Sequence, residues 1–258
     1  MPEGDTIHHA AQRIRAVLGG RAPDEIRTPH PRLRADRWPE RLAGRAVTGV
    51  DAHGKHLFVR FESELVLHSH LRMTGHWGVY EHGRRWGRSP RRAWLVMRAG
   101  DSEVVEFDGP VLELLTESRT RFDQRLAALG PDILADELAE DEILRRLRGD
   151  DPTRAIGDAL LDQRTVAGIG NLWKSEGCFE AGIDPWRPAR TVTDDEVRAI
   201  LRAARPAMQH SARHGFQARP AAVYGRAGRP CPRCGETIRA RGQGDDNRTT
   251  YWCPACQS

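Results

Sequence analysis

Four of the five cysteines fall near the end of the chain, as Cys231-x2-Cys234 and Cys253-x2-Cys256. Each CxxC turn offers two thiolates, and two such turns at this separation can close a tetrahedral zinc site. Filling all four positions suits a structural ion, because a catalytic zinc keeps one position open. Disulfides are the other reading of paired cysteines, and the absence of an export signal disfavours them. Pro230-Cys231-Pro232-Arg233-Cys234 also fits a fragment of the zinc nucleobase deaminases. That chemistry needs an upstream His-x-Glu, and none of the eleven histidines has Glu two places on. Cys178 stands apart and reads as a buried structural thiol.

A second chemistry is open at the other end. The chain begins Met1-Pro2-Glu3-Gly4. Removal of Met1 would leave Pro2 with a free secondary amine, whose class titrates at roughly 7.7–8.0. The positive end of a following helix favours the neutral, nucleophilic form. A secondary amine forms an iminium ion with an aldehyde-level carbon, and Glu3 is a natural proton carrier beside it. On these residues alone, an ordinary helix entry is the better reading. Other amines are scarce: of 40 basic residues only Lys55 and Lys174 are lysine. The remaining basic residues are arginines, which stay protonated and cannot act as amine nucleophiles.

Between these ends lies Leu160–Ile183, LLDQRTVAGIGNLWKSEGCFEAGI. The pattern predicts a helix ending near Gln163, a turn at Gly168-Ile169-Gly170 and a new helix opening at Asn171. Backbone N–H groups at such a turn make a ready phosphate site, and Asn171 adds a side-chain donor. A plain helix-turn-helix corner explains the same residues. Between the two CxxC turns, IRARGQGDDNRTTYW predicts a hairpin whose arginines either reach phosphates or stay solvated.

These residues need elements to position them. Ile7, Ala10, Ala11, Ile14, Val17 and Leu18 recur at helical spacing, which predicts a helix over 4–18 capped by Asp5 or Thr6. Residues 20 to about 115 carry short β-rich runs (56–61, 64–70, 93–98 and 103–107) and predict an antiparallel β-sandwich or barrel. The stretch 75–92 reads as an exposed hairpin or loop. From about 121 the pattern turns helical, at 141–147, 154–163, 170–182 and 193–204. Thr193-x-x-Glu196 is a capping box, and Pro206 should end or kink the last helix. The predicted class is α+β and multidomain: residues 1–118 an N-terminal β-sandwich with flanking helices, 119–215 helical, and 216–258 a four-cysteine finger.

Bulk properties narrow the setting. The formal net charge is +4, and residues 211–258 hold eight arginines against three acids, a basic tail suited to nucleic acid. No apolar run is long enough to span a membrane. The start has acids and no apolar core, so a signal peptide is not expected and a cytoplasmic protein is.

Three places together carry a resemblance: MPEG at the start, LLDQRTVAGIGNLWKSE in the middle and VYGRAGRPCPRC…RTTYWCPACQ at the end. In order and separation the chain resembles the formamidopyrimidine-DNA glycosylase / endonuclease VIII family, from end to end. The resemblance implies a bacterial base-excision repair enzyme, a helix-two-turn-helix middle domain, damaged double-stranded DNA as partner, one structural Zn2+, and a monomer working in the cytoplasm at the nucleoid. It makes Pro2 the Schiff-base nucleophile at the deoxyribose C1′ and Glu3 the general acid and base. Lys55, in Gly54-Lys55-His56, would assist base release and β-elimination. Asn171 would grip a phosphate near the lesion, and Arg248 would clamp phosphate and support δ-elimination. Arg72 and Met73 would enter the space left by a flipped nucleotide.

Some positions depart from the family pattern. Asp5-Thr6 stands where Pro-Glu is usual, so a second carboxylate near the opened sugar is not evident. Phe107–Glu113 lacks the Arg-Arg-Phe loop of the oxoguanine-type branch and resembles the endonuclease VIII branch, which implies oxidised pyrimidines. The void-filling tyrosine of some members is replaced by Thr74. Two rivals follow from the same residues. One is a zinc-finger protein that binds damaged DNA without catalysis; the other is a hydrolytic glycosylase using Glu3 alone.

Overall fold

The computed structural model describes residues 2–218 and 221–258. In chain order the elements are α1 (Gly4–Leu18), β1 (Glu25–Arg27), α2 (Pro31–Ala35), α3 (Trp38–Leu42), β2 (Val47–His53), β3 (His56–Phe61), β4 (Leu65–His70), β5 (His76–Glu81), β6 (Ala93–Ala99), β7 (Ser102–Phe107) and β8 (Val111–Thr116). There follow α4 (Glu117–Phe122), α5 (Gln124–Ala127), α6 (Glu140–Arg148), α7 (Ile156–Ala159), α8 (Asn171–Ala181), α9 (Asp194–His214), β9 (Arg239–Gln243) and β10 (Arg248–Trp252). The chain divides into two compact units. One holds Pro2 and Thr6–Ala127; the other holds Glu3–Asp5 with Ala128–Ser258.

The first unit is built on two four-stranded sheets, ordered β2-β3-β4-β8 and β1-β6-β7-β5, with antiparallel neighbours throughout. Alternation explains the layering. Leu57, Val59 and Phe61 of β3 enter one core with Leu67 of β4 and Leu112 of β8. Leu95, Met97, Val104 and Trp77 supply the same core from the second sheet, and α1 adds Ile7, Ala11, Ile14 and Leu18. The expected sandwich with a helix alongside is present.

Two expectations in and around this unit need correction. Within the expected exposed hairpin or loop of 75–92, residues 76–81 form β5, a sheet strand paired with β7 from His76↔Phe107 to Glu81↔Ser102. Trp77 is buried in this strand, and the exposed turn begins only after Glu81. Neither Asp5 nor Thr6 caps α1, because the helix already starts at Gly4. The Asp5 carboxylate is fully buried and accepts a hydrogen bond from Ser211 Oγ instead.

The second unit packs α6, α7, α8 and α9 around Ile143, Leu147, Ile156, Trp173, Leu201 and Met208. The Thr193–Glu196 capping box opens α9 as expected. Pro206 does not end that helix, which runs on to His214. Proline removes one ladder bond, and tertiary anchors offset the loss: Met208 and Ala212 are buried, Ser211 holds Asp5, and Arg205 Nε donates to Ile133 O at 3.1 Å. The helix expected over 154–163 shrinks to the single turn of α7. Gln163 explains the early stop. Its amide donates to the carbonyls of Leu161 (2.9 Å) and Ile169 (3.0 Å), and its Oε1 accepts from Gly168 N at 3.0 Å. That side chain shapes the two turns that a longer helix would have occupied. No helix among the described residues is long and apolar enough to cross a membrane.

One buried acid in the sandwich has a pH consequence. Glu106 on β7 is fully buried opposite Trp77 and Leu95, and neither carboxylate oxygen makes a hydrogen bond among the described residues. Burial, with Asp108's charge adding, pushes its carboxyl up to about 8, against the pull of Arg88. A raised folded-state value means that folding takes up a proton between the ordinary carboxylate range and about 8. Stability is therefore lost as pH rises through that window. Glu106→Gln should unfold at a higher temperature than wild type at pH 8.5, by about 2–4 °C per kcal/mol recovered. The gap should close near pH 5; thermal melts at both pH values test this.

Candidate functional site

In the second unit the site is built on the start of α8. The first N–H groups of a helix have no partner within it. Here Glu3 supplies one: its buried carboxylate accepts from Leu172 N at 2.9 Å and Trp173 N at 3.3 Å. Gly4 N donates to Gly168 O at 2.9 Å alongside. The approach is close enough that a Cβ on Gly170 would lie 2.3 Å from Glu3 Cδ, so only glycine fits there. This narrows one expectation. The backbone amides of Leu172 and Trp173 are not free for phosphate, because the chain's own Glu3 occupies them.

Asn171 opens α8 as expected and is buried. Its Nδ2 donates to Thr249 O at 2.7 Å, while its Oδ1 has no partner among the described residues. The amide keeps a second N–H beyond the one given to Thr249. That bond brings Asn171 beside Arg248, the neighbour of Thr249 on β10. Arg248 pairs with Asp246 in the hairpin turn, at 2.9 Å, and remains partly exposed. The expected hairpin is present, with β9 and β10 in register from Arg248↔Gln243 to Trp252↔Arg239.

The four finger cysteines converge. Their sulfurs all lie within 4.8 Å of one another, with Cys231–Cys256 at 3.9 Å and Cys234–Cys253 at 3.5 Å. Tetrahedral zinc with Zn–S bonds of about 2.3 Å requires sulfurs about 3.8 Å apart, so the set fits. Contact with Cys234 and then desolvation push the Cys256 thiol up to about 12. Four thiols this close cannot all ionise without a cation between them. Among the described residues, no other set of three or more His, Cys, Asp or Glu side chains converges in this way. Cys178 is fully buried, and burial pushes its thiol up to about 12, as suits an inert core residue.

In the first unit, Lys55 sits in the two-residue turn between β2 and β3, after Gly54 at φ +57°. Arg72 and Met73 follow β4. Arg72 is exposed at φ +48°, a left-handed conformation rare for a side chain of its size, and Met73 is 65% exposed. Burial pulls His70 down to about 4, and the charges of Arg72 and Lys55 lower it further. Both cations therefore lie within electrostatic reach of one imidazole.

Sequence reasoning missed two features. One is a chain of hydrogen bonds from Glu113 Oε2 to His68 Nδ1 (3.1 Å) and from His68 Nε2 to His56 Nδ1 (2.8 Å). Its residues face one another only through strand register, which no local pattern reveals. The other is the buried end of Lys174, whose partners come from the distant finger hairpin. Its signal was only its rarity as one of two lysines.

With this geometry in view, comparison with known proteins becomes informative. Residues 1–122 match the formamidopyrimidine-DNA glycosylase N-terminal domain, residues 129–219 the H2TH domain of the same enzymes, and residues 228–258 the zinc finger found in FPG and IleRS. A probable endonuclease 8 2 of Streptomyces coelicolor is 40% identical over 100% of this chain and 94% of its own length. The chain belongs to the formamidopyrimidine-DNA glycosylase / endonuclease 8 family. The DNA-(apurinic or apyrimidinic site) lyase Nei2 of Mycolicibacterium smegmatis is 37% identical over 100% of this chain and 99% of its own. The fold matches Lactococcus lactis Fpg, solved in complex with DNA containing an abasic site, at a TM-score of 0.84, 22% identity and full coverage of both chains. The resemblance read from the sequence holds, and the four cysteines are the ligand set of one structural zinc.

Asn171 bonds to Thr249 and Lys174 to Gln243 and Thr250, which ties the β9–β10 hairpin to α8, and Arg233 inside the first CxxC turn donates to Phe179 O and Glu180 of the same helix. Cys256→Ser should lose zinc and unlock this hairpin. Hydrogen exchange should then show the amides of β9 and β10 losing protection by more than tenfold, the equivalent of about 1.4 kcal/mol, while β3 and β4 keep theirs. Zinc content measured on the same samples completes the check.

Proposed function

We infer that this chain is a bifunctional DNA glycosylase and abasic-site lyase of base-excision repair, acting on damaged double-stranded DNA. The observation that carries the reading is the buried Glu3 carboxylate, held by two backbone amides immediately after Pro2. An amine nucleophile with an oriented proton carrier next to it is what imine chemistry on a sugar needs. The relatives' names, endonuclease 8 and abasic-site lyase, describe the same reaction class.

The reaction starts from the amine of Pro2. Met1, whose removal it requires, lies outside the described residues. The damaged nucleotide is flipped out of the duplex, and the Pro2 lone pair attacks C1′. The C1′–base bond breaks, and its electrons and a proton leave with the base. Glu3 gives a proton to the ring oxygen as the sugar opens, which leaves an iminium between Pro2 and C1′. The iminium acidifies the C2′ proton. Loss of that proton expels the 3′ phosphate, a second elimination expels the 5′ phosphate, and water then releases Pro2.

Lys55 assists base release and the first elimination. Arg248 clamps phosphate and supports the second, and Asn171 grips the backbone near the lesion. Arg72 and Met73 fill the space left by the flipped nucleotide; their exposure suits that use. The substrates are oxidised pyrimidines, since Phe107–Glu113 lacks the arginines of the oxoguanine-type loop. The enzyme works as a monomer in the cytoplasm, at the bacterial nucleoid, with residues 1–118, 119–215 and 216–258 as its three parts.

Borohydride trapping on duplexes with a single thymine glycol or abasic site tests this. Wild type should form a covalent adduct and leave a gap with phosphate at both ends; Pro2→Gly and protein retaining Met1 should form none. Absence of an adduct from zinc-loaded wild type with Met1 removed would sink the lyase mechanism. Gly170→Ala, which pushes against Glu3, should slow strand cleavage on the order of a hundredfold, measured in single-turnover assays.

A further inference from the structure

Lys174 lies one turn after Asn171 on α8 and is fully buried. Its ammonium donates to Gln243 Oε1 at 3.1 Å and to Thr250 Oγ1. Thr250 Oγ1 donates in turn to Gln243 Oε1 at 2.7 Å, and Gln243 Nε2 donates to Pro185 O at 2.8 Å. Every partner in this network is neutral. Among the described residues no carboxylate reaches Lys174 within ion-pair distance.

A buried cation with no anion is costly, and an apolar side chain of the same length would avoid that cost. What surrounds it suggests a reason for keeping it. Asn171 bonds to Thr249 O, Lys174 to Thr250, and Arg248 precedes both on the same strand. Four groups carry charge or titrate around the ammonium: Cys178 on α8, Asp158 on α7, Glu3 at the chain start and Arg248 on β10. Burial, with the charge of Arg248 adding, draws the ammonium down to about 8, and Asp158 and Glu3 oppose that shift, as Cys178 does only when ionised. The Cys178 thiol, pushed up to about 12, stays neutral over the range that matters.

We propose that Lys174 is a positioning residue for DNA. Its ammonium pins the β9–β10 hairpin to α8 and adds positive charge behind Asn171 and Arg248, and a DNA phosphate is the anion that compensates it. The proposal rests on the reading of Asn171 and Arg248 as phosphate contacts. Bound DNA then favours protonated Lys174, so binding weakens as pH rises through the free protein's value. Lys174 touches no phosphate itself. It therefore changes affinity and pH dependence without changing the number of counterions released.

Fluorescence anisotropy with zinc-loaded full-length protein and a duplex holding one tetrahydrofuran abasic analogue, at pH 7 and pH 9 and at several salt concentrations, tests it. Wild type should bind about fivefold more weakly at pH 9 than at pH 7, which corresponds to an ammonium that titrates at about 8 in the free protein and holds its proton about tenfold more tightly when DNA is bound. Lys174→Met should bind about tenfold more weakly than wild type at pH 7, and should lose most of the pH dependence. Any dependence contributed by the Pro2 amine remains in that variant and is subtracted by the comparison. The salt slope of Lys174→Met should match wild type, whereas the slope of Arg248→Ala should fall by about 1. Gln243→Glu guards against a folding artefact. It gives the ammonium an internal anion, so it should keep or raise the unfolding midpoint and still weaken DNA binding. Wild-type affinity and pH profile in Lys174→Met, or wild-type binding by Gln243→Glu, would overturn the proposal. An unchanged salt slope in Arg248→Ala would instead overturn the phosphate reading on which it rests.

Discussion

The bond between Glu3 and the start of α8 is the constraint on which the rest of the site depends. It joins residues 169 and 170 positions apart. Two helix donors that would otherwise stay unsatisfied in a buried place are given a carboxylate, and the helix's positive end favours that charge. The contact fixes the orientation of the only acid adjacent to Pro2. It also dictates Gly170, where any side chain would collide with Glu3, and it draws Gly4 onto Gly168. Asp5 continues the tie one residue later through Ser211.

The other end of the second unit obeys a related logic. Zinc brings four cysteines together and so fixes a hairpin too short to hold itself. That hairpin is then read by α8: Asn171 takes the carbonyl of Thr249, and Lys174 takes Gln243 and Thr250. Along one helix, successive turns thus organise Glu3, the finger backbone and a buried cation. The finger contributes position, gathered by its cysteines at one end and held by α8 at the other.

Much of the fold was legible because its signals are local. Apolar alternation in 56–61 and 103–107 marks strands, helical spacing in 4–18 marks α1, and Thr193 with Glu196 marks the start of α9. The CxxC pairs announced their own geometry, since ligand type and spacing alone specify a four-sulfur site. The errors have equally specific causes. The strand at 76–81 lies inside a stretch expected as an exposed hairpin or loop, and it buries one tryptophan, Trp77. Pro206 is expected to end or kink α9; it does not end it, because anchors from Asp5 and residues 133–136 hold the helix on. Gln163 looked like the last residue of a helix and is the side chain that folds the two turns after it.

The sequence by itself therefore determined the family, the reaction class and the residue types available for it. The four cysteines are identified by type and spacing, which a linear chain displays directly, whereas Pro2, Glu3 and Lys55 stand out only through the family resemblance. Only the tertiary structure decided how those groups are used. It spends the helix-start amides on Glu3 rather than leaving them for an outside anion. It commits one amide hydrogen of Asn171 to Thr249, and it buries Lys174 among neutral partners. Each of these depends on contacts between segments far apart in the chain, and no local pattern of residues encodes which distant group will satisfy a buried donor.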